Sequence, residues 1–314
     1  MQPDAAVQTN ALHTESLWIT LNPTDQLHLK RIYANPQGQP VFMLHGSVGS
    51  GNIFYSKSLK GLAPFLAEQG FDVYVADLRG RGQSTPPVSA RSNNSQYQAI
   101  VEEIPAFLAQ IRELRGQDVQ IHAVGHSWGG VLLLAYLARF ADEKLGSMSF
   151  LGSKRHVSVI NRDRLVGLDL MWGLLGSMYT RRYGYLPAKK LKLGSDDEAA
   201  EVYQQCRAWV YAKHTWIDPT DQFDYYAALT HAQNIAPTLY LAGKKDTFLG
   251  HPKDVRQLMR DVGQPQDEFR LLAMSQGYRK DYGHIDMCTA PEAVNDHFIE
   301  IADWISQHTQ EIVC

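Results

Sequence analysis

The sequence predicts an α/β protein: a mostly parallel sheet of eight strands, helices on both faces and an inserted helical cap. Three observations predict it. Short apolar runs of the kind that form buried strands alternate with helical stretches along most of the 314 residues, which is the pattern of a parallel sheet covered on both sides. At one junction, Gly125-His-Ser-Trp-Gly-Gly130 joins a strand-like run to a helix-like one. Its glycines stand where a very tight strand-to-helix turn needs them. Residues 153–232 break the alternation with helical, aromatic- and Met-rich sequence between two sheet strands. They are expected to fold as a cap over the strand ends, leaving 1–152 and 233–314 as the core.

Element by element, residues 16–33 read as two strands about the turn Asn22-Pro-Thr-Asp25, a hairpin. Pro40–Leu44 is a continuous apolar strand. A helix is predicted from about Phe54 to Glu68, stopping at Gly70, and a strand over Phe71–Ala76. A helix over roughly Tyr97–Leu114 leads to a strand over Asp118–Val124, and Val131–Ala138 follows as a buried helix. Further strands are expected at Leu145–Leu151, Ala236–Ala242 and Glu268–Ala273. In the last helix Val294, Phe298, Ile301, Trp304 and Ile305 share one face at helical spacing.

Composition excludes several classes. With 44% hydrophobic and 20% charged residues the chain is ordinary globular sequence rather than disordered. A net charge of -3 without long like-charge blocks argues against a nucleic-acid partner. Three cysteines, Cys206, Cys288 and Cys314, form no CxxC pair and suit reduced thiols, hence a cytoplasmic setting. Met1–Asn10 shows neither a basic nor an apolar signal region, and no apolar run reaches the length of a membrane span.

The chemistry centres on Ser127. In a strand–turn–helix of this type the serine is held out at the sheet end, with the backbone N–H of Trp128 at the helix start facing any developing oxyanion. A serine hydroxyl needs a base, and the base an acid that holds its tautomer. The chain order expected for this architecture is Ser, then Asp or Glu, then His. Asp246 follows the strand 236–242, and His284 follows the strand 268–273, so both fall on the same sheet edge. Of the twelve histidines, His122 lies inside a strand, His297 and His308 on the final helix, and His214 and His231 in or beside the insertion. His251 is the one competitor as base. Asp286 is better placed to brace the loop of His284 through backbone hydrogen bonds than to reach its Nδ1. His45-Gly46 ends the strand 40–44 and is expected to leave the Ser47 N–H pointing inward as a second oxyanion donor.

Other motifs fail. The stretch Gly46–Gly51 lacks the Lys-Ser/Thr of a phosphate loop, and Gly80-Arg-Gly82 lacks the third glycine of a dinucleotide fingerprint. No His-Glu-x-x-His or zinc-spaced Cys/His cluster occurs.

Taken together, His45-Gly46, Asp77-Leu-Arg-Gly-Arg-Gly-Gln-Ser84, Gly125-His-Ser-Trp-Gly-Gly130, Asp246 and Gly283-His284 resemble an α/β-hydrolase of the esterase/lipase kind, over nearly the whole chain outside the insertion. The resemblance implies a Ser127–Asp246–His284 triad, an oxyanion hole at Ser47 and Trp128, no cofactor, and a variable cap that sets the choice among small-molecule acyl substrates. Tyr282–Asp286 is similar to the histidine region of acid lipases and of polyhydroxyalkanoate-handling relatives. Serine at the elbow favours acyl transfer to water through an acyl-enzyme, on an ester or thioester with an apolar acyl part. The fold also hosts carbon–carbon bond hydrolases, lyases and receptors without turnover, which remain alternatives. In the insertion, Leu165–Tyr179 is apolar on nearly every face. It either lines an acyl pocket, with Met171 and Trp172 as substrate contacts, or packs as a buried cap helix. The basic residues that follow it read as a solvated face.

Overall fold

The computed structural model describes residues 11–142, 144–232 and 235–309. Met1–Asn10, the expected boundary at 233 and Cys314 lie outside the described residues. The strands are β1 (His13–Thr20), β2 (Gln26–Tyr33), β3 (Pro40–Leu44), β4 (Asp72–Asp77), β5 (Ile121–His126), β6 (Leu145–Leu151), β7 (Tyr185–Leu186), β8 (Glu198–Ala199), β9 (Thr238–Gly243) and β10 (Glu268–Leu272). Eight of them form one sheet in the order β1-β2-β4-β3-β5-β6-β9-β10, and β7 and β8 pair separately. The first hairpin and the β2–β4 pair are antiparallel, and every later neighbour pair is parallel. This is the eight-stranded, mostly parallel sheet that the alternation predicts.

The two-residue period of the strands sorts the core into two halves. Phe42, Leu44, Tyr74, Ala76, Tyr240 and Ala242 face one cluster, with the helices Ile104–Arg115 and Trp128–Phe140 over them. Val41, Met43, Val73, Val75, Leu239 and Leu241 face the other, under the helices Leu62–Glu68 and His297–Gln307. In the turn between β1 and β2, the Asn22 Oδ1 accepts the N–H groups of Thr24 and Asp25 at 2.9 and 3.0 Å and fixes the hairpin.

Several boundaries differ from expectation, among them the following. The helix expected from Phe54 is confined to Leu62–Glu68, because Leu59 (φ 53°) and Gly61 (φ 127°) are in conformations a helix cannot contain. β5 begins at Ile121 rather than Asp118 and runs to His126, so the turn into the next helix is Ser127 alone. β9 starts at Thr238, after Pro237, which has no N–H to give the ladder. Val294 lies in a 3-10 turn ahead of the last helix and is over a third exposed, so it does not belong to the buried face with Phe298, Ile301, Trp304 and Ile305.

Residues 153–232 leave the sheet after β6 and return to it at β9. They hold a helical run over 162–183, whose middle Leu165–Leu175 is π-helical, and the helices Ala200–Tyr211 and Tyr225–His231. The aromatic set Trp209, Trp216 and Tyr225 joins the core cluster of the first sheet face, where Trp128 meets Trp209 with ring centroids 6.2 Å apart. Arg155 gathers this segment, donating from its buried guanidinium to the carbonyls of Trp209, Ala212, Lys213 and Thr215.

Candidate active site

The site grows from the carboxyl ends of β3, β5, β6, β9 and β10. Ser127 is the single residue between β5 and its helix, at φ 53° and ψ -117°. So tight a turn brings the glycines on either side against their surroundings: a Cβ on Gly125 would lie 2.6 Å from the Gly130 Cα, and one on Gly129 would lie 2.2 Å from the Leu44 carbonyl oxygen. The non-glycine φ at Ser127 is held by this packing rather than relieved. Ser127 is only half-buried, and the Trp128 N–H opens a 13-residue helix with no intrahelical acceptor of its own.

His284 meets both predicted partners. Its Nε2 lies 2.9 Å from the Ser127 Oγ and its Nδ1 2.6 Å from the Asp246 Oδ2. The serine hydroxyl donates to Nε2 and the Nδ1–H donates to the carboxylate. Three side chains from three strand ends, 38 and 157 residues apart in sequence from His284, thus form one hydrogen-bonded series. Burial alone would raise the Asp246 carboxyl. The charge and hydrogen bond of His284, the Gly250 N–H and the Lys154 ammonium together hold it below its usual range. An imidazole placed so can take the hydroxyl proton while the carboxylate stabilises the imidazolium.

His251 is elsewhere: it caps the helix Pro252–Val262, with its Nδ1 accepting the Lys253 N–H at 3.1 Å. Asp286 does brace the histidine loop, accepting the Gly283 N–H and the Lys280 ammonium. Gly152, at the end of β6 with φ 64°, leaves space for the imidazole, since a Cβ there would stand 3.0 Å from the His284 Nδ1.

Two residues that sequence reasoning did not single out complete the frame. His126 precedes the nucleophile position, is buried, and donates from its Nε2 to the His284 carbonyl at 3.0 Å while its ring packs on that of His284. Burial, then the neighbouring His284, pushes its pKa down to about 3, so it is a neutral donor. Glu198 of β8 is fully buried and accepts the Ser47 hydroxyl at 2.9 Å and the Val48 N–H at 3.1 Å, while pairing with the Arg81 guanidinium. The loop after β3 is therefore gripped by the inserted segment. His45 fixes the same loop from below, donating from Nδ1 to the Gly46 carbonyl at 2.8 Å and accepting the Leu78 N–H on Nε2. No sequence pattern marks a glutamate in a two-residue strand as a loop clamp.

Met171 and Trp172 are half-buried. Trp172 packs edge-on against Tyr203, with ring centroids 5.0 Å apart, in a small apolar cluster that also takes in Val48, Leu191 and Leu193. The same helical run turns Leu165, Val166, Leu170, Leu174 and Met178 outward, each more than 40% exposed, so it is not buried on every side. Among the described residues no group of three or more His, Cys, Asp or Glu is arranged to hold a metal ion, and no helix is long and apolar enough to cross a membrane.

A family model described as the alpha/beta hydrolase fold matches residues 39–275. The chain belongs to this family. Among solved structures, this α/β-hydrolase resembles a soluble variant of monoglyceride lipase from Saccharomyces cerevisiae, with TM-score 0.63 at 16% identity over 97% of this chain and 98% of that one. It also resembles an esterase from Exiguobacterium antarcticum, with TM-score 0.61 at 15% identity over 93% of this chain and 100% of that one. Among curated proteins, Lipase 1 of Psychrobacter immobilis is 24% identical over 86% of this chain and 79% of its own. A proline iminopeptidase of Lactobacillus delbrueckii subsp. bulgaricus is 33% identical over 35% of this chain and 34% of its own. The α/β-hydrolase chain thus spans about a third of the length of the first curated relatives it matches.

Proposed function

We propose that this α/β-hydrolase is a serine hydrolase cleaving carboxylic esters or thioesters with an apolar acyl part. Ser127 Oγ attacks the carbonyl carbon as His284 Nε2 takes its proton. The same imidazole, now protonated, hands that proton to the departing alcohol or thiol. Water then enters with His284 again as base, and the acyl-enzyme breaks to the free acid and Ser127. Asp246 orients the imidazole and stabilises its charged form. The N–H groups of Ser47 and Trp128 carry the oxyanion in both halves, and residues 153–232 act as the cap that shapes the acyl site, Met171 and Trp172 among its contacts.

The single observation behind this reading is the placement of His284 between Ser127 Oγ at 2.9 Å and Asp246 at 2.6 Å. The lipase and esterase names among the relatives support the ester side of it. A second reading is favoured by the local match to proline iminopeptidases: the same three side chains acting on an amide.

Steady-state hydrolysis of 4-nitrophenyl esters from acetyl to dodecanoyl, set beside proline 4-nitroanilide, tests both. Ester turnover that exceeds anilide turnover and vanishes in Ser127→Ala is the expected result. Anilide preferred over every ester would move the assignment to the peptidase. No turnover of either, with Ser127 unlabelled by a fluorophosphonate, would leave a carbon–carbon bond enzyme or a non-turnover binder.

A further inference from the structure

We propose that Lys154 places a cation at the far end of the acyl site, so that the preferred esters carry a carboxylate on the acyl chain. The inference rests on Ser127 being the nucleophile and adds the chemistry of the substrate's other end.

Lys154 follows the end of β6 by three residues, two beyond the Gly152 that borders His284. It is 6% exposed, and its Nζ stands 5.6 Å from the centroid of the Trp128 ring, the residue after the nucleophile. Its strongest electrostatic neighbour is the thiol of Cys206, on the helix Ala200–Tyr211, and that thiol is hydrogen-bonded to the Ser47 hydroxyl. Lys154 is thus tied to both residues whose N–H groups are assigned to the oxyanion, to Trp128 through its ring and to Ser47 through the Cys206 thiol.

No protein anion completes it. Among the described residues Lys154 forms no ion pair within 4.0 Å, whereas most buried arginines of this chain do. The two carboxylates that sense its charge are engaged: Asp246 by His284, and Asp254 by the Ser158 N–H and hydroxyl. Cys206 is no counter-ion either, since burial pushes its thiol up to about 12. A charge kept nine-tenths buried with a ring face beside it but no anion is costly, and methionine would fill the same space without that cost. An anion arriving with the substrate removes the difficulty through a charge-assisted hydrogen bond. The leaving alcohol must sit beside His284, which protonates it. The acyl chain is assigned to the opposite side, toward Trp128 and Lys154.

The test compares mono-4-nitrophenyl glutarate with 4-nitrophenyl pentanoate, which has the same number of acyl carbons but ends in a methyl group. In the wild type the glutarate ester is expected to show the higher kcat/KM. In Lys154→Met the glutarate-to-pentanoate ratio should fall roughly ten- to hundredfold, mostly through KM, as loss of one hydrogen bond to a charged group predicts. Lys154→Arg should restore part of the preference. As a readout that needs no variant, free glutarate should inhibit wild-type pentanoate hydrolysis more tightly than free pentanoate does. A ratio that stays put in Lys154→Met while pentanoate turnover still depends on Ser127, or equal inhibition by the two acids, overturns the role of Lys154 alone. Pentanoate turnover that survives Ser127→Ala would instead overturn the nucleophile assignment beneath it.

Discussion

Glu198→Ala should disable the site without touching any group that reacts. The carboxylate is fully buried, accepts the Ser47 hydroxyl and the Val48 N–H, and pairs with an Arg81 that is itself almost fully buried. Removing it takes away the one carboxylate within 4.0 Å of Arg81 among the described residues and leaves only the longer-range charges of Asp196, Glu103 and Asp197; breaking a buried pair in this way costs about 3–5 kcal/mol. At about 2–4 °C per kcal/mol for a chain of 150–250 residues or more, the melting temperature should fall by roughly 6–20 °C. The rate should fall as well. The loop it grips holds the Ser47 N–H, and loss of one oxyanion donor lowers kcat by about 10²–10³. Glu198→Gln keeps an acceptor for Ser47 and Val48, so it should retain more rate than the alanine variant. The assay is kcat and KM on 4-nitrophenyl acetate, measured well below the variant's melting point, beside a thermal melt. A Glu198→Ala enzyme with kcat within threefold of wild type would refute the clamp, whatever its melting temperature.

Three further outcomes are expected. His284→Ala should lose ester turnover by about 10⁴ to 10⁶ in kcat, as the members of such a unit do, while His251→Ala, which removes only a helix cap, should change it less than about tenfold; kcat of the two variants under saturating ester ranks them. Trp172→Ala and Met171→Ala should shift the acyl chain-length profile more than they slow acetate hydrolysis, because each methylene lost from an apolar pocket changes discrimination by about 1–3 kcal/mol; a uniform loss across the series would make this stretch packing only. Glu103 is fully buried, and burial raises its carboxyl from the ordinary 4.5 to about 7. Its folded form holds the proton that the unfolded chain has released, so its contribution is complete below about 4.5 and is lost as pH rises through about 7. Melting temperatures of Glu103→Gln against wild type should therefore diverge in the variant's favour between pH 5 and pH 8.

Much of this architecture is legible in the sequence because its signals are local. The apolar runs of β3 and β4 are buried throughout, and the elbow announces itself by glycines that sterics demand. Chain order and strand ends together point to Asp246 and His284, since a strand end fixes which sheet edge a following residue reaches. Boundaries are less legible where a single backbone conformation overrides propensity. Gly61 cuts short a helix that its neighbours would otherwise extend, and Pro237 delays a strand. The supports of the site were not legible at all. His126 looks like the variable position of a motif, and its bond to the His284 carbonyl spans 158 residues. Glu198 lies 151 residues from Ser47 in a segment whose pattern says only that it is helical and apolar. Contacts of that kind depend on how the insertion docks on the body, which no local periodicity encodes.

The central claim is that Ser127 is an activated nucleophile, and covalent labelling reads that most directly. A hydroxyl activated by a positioned base attacks the phosphorus of a fluorophosphonate, fluoride leaves, and the phosphonyl group bound to the oxygen is a mass adduct that can be assigned to one residue. Intact enzyme is expected to take up one equivalent, with the adduct on the peptide containing Ser127, and to lose ester turnover in step with labelling. Ser127→Ala and His284→Ala should remain unlabelled over the same time. Label on another residue, or undiminished turnover in fully labelled enzyme, would contradict the account.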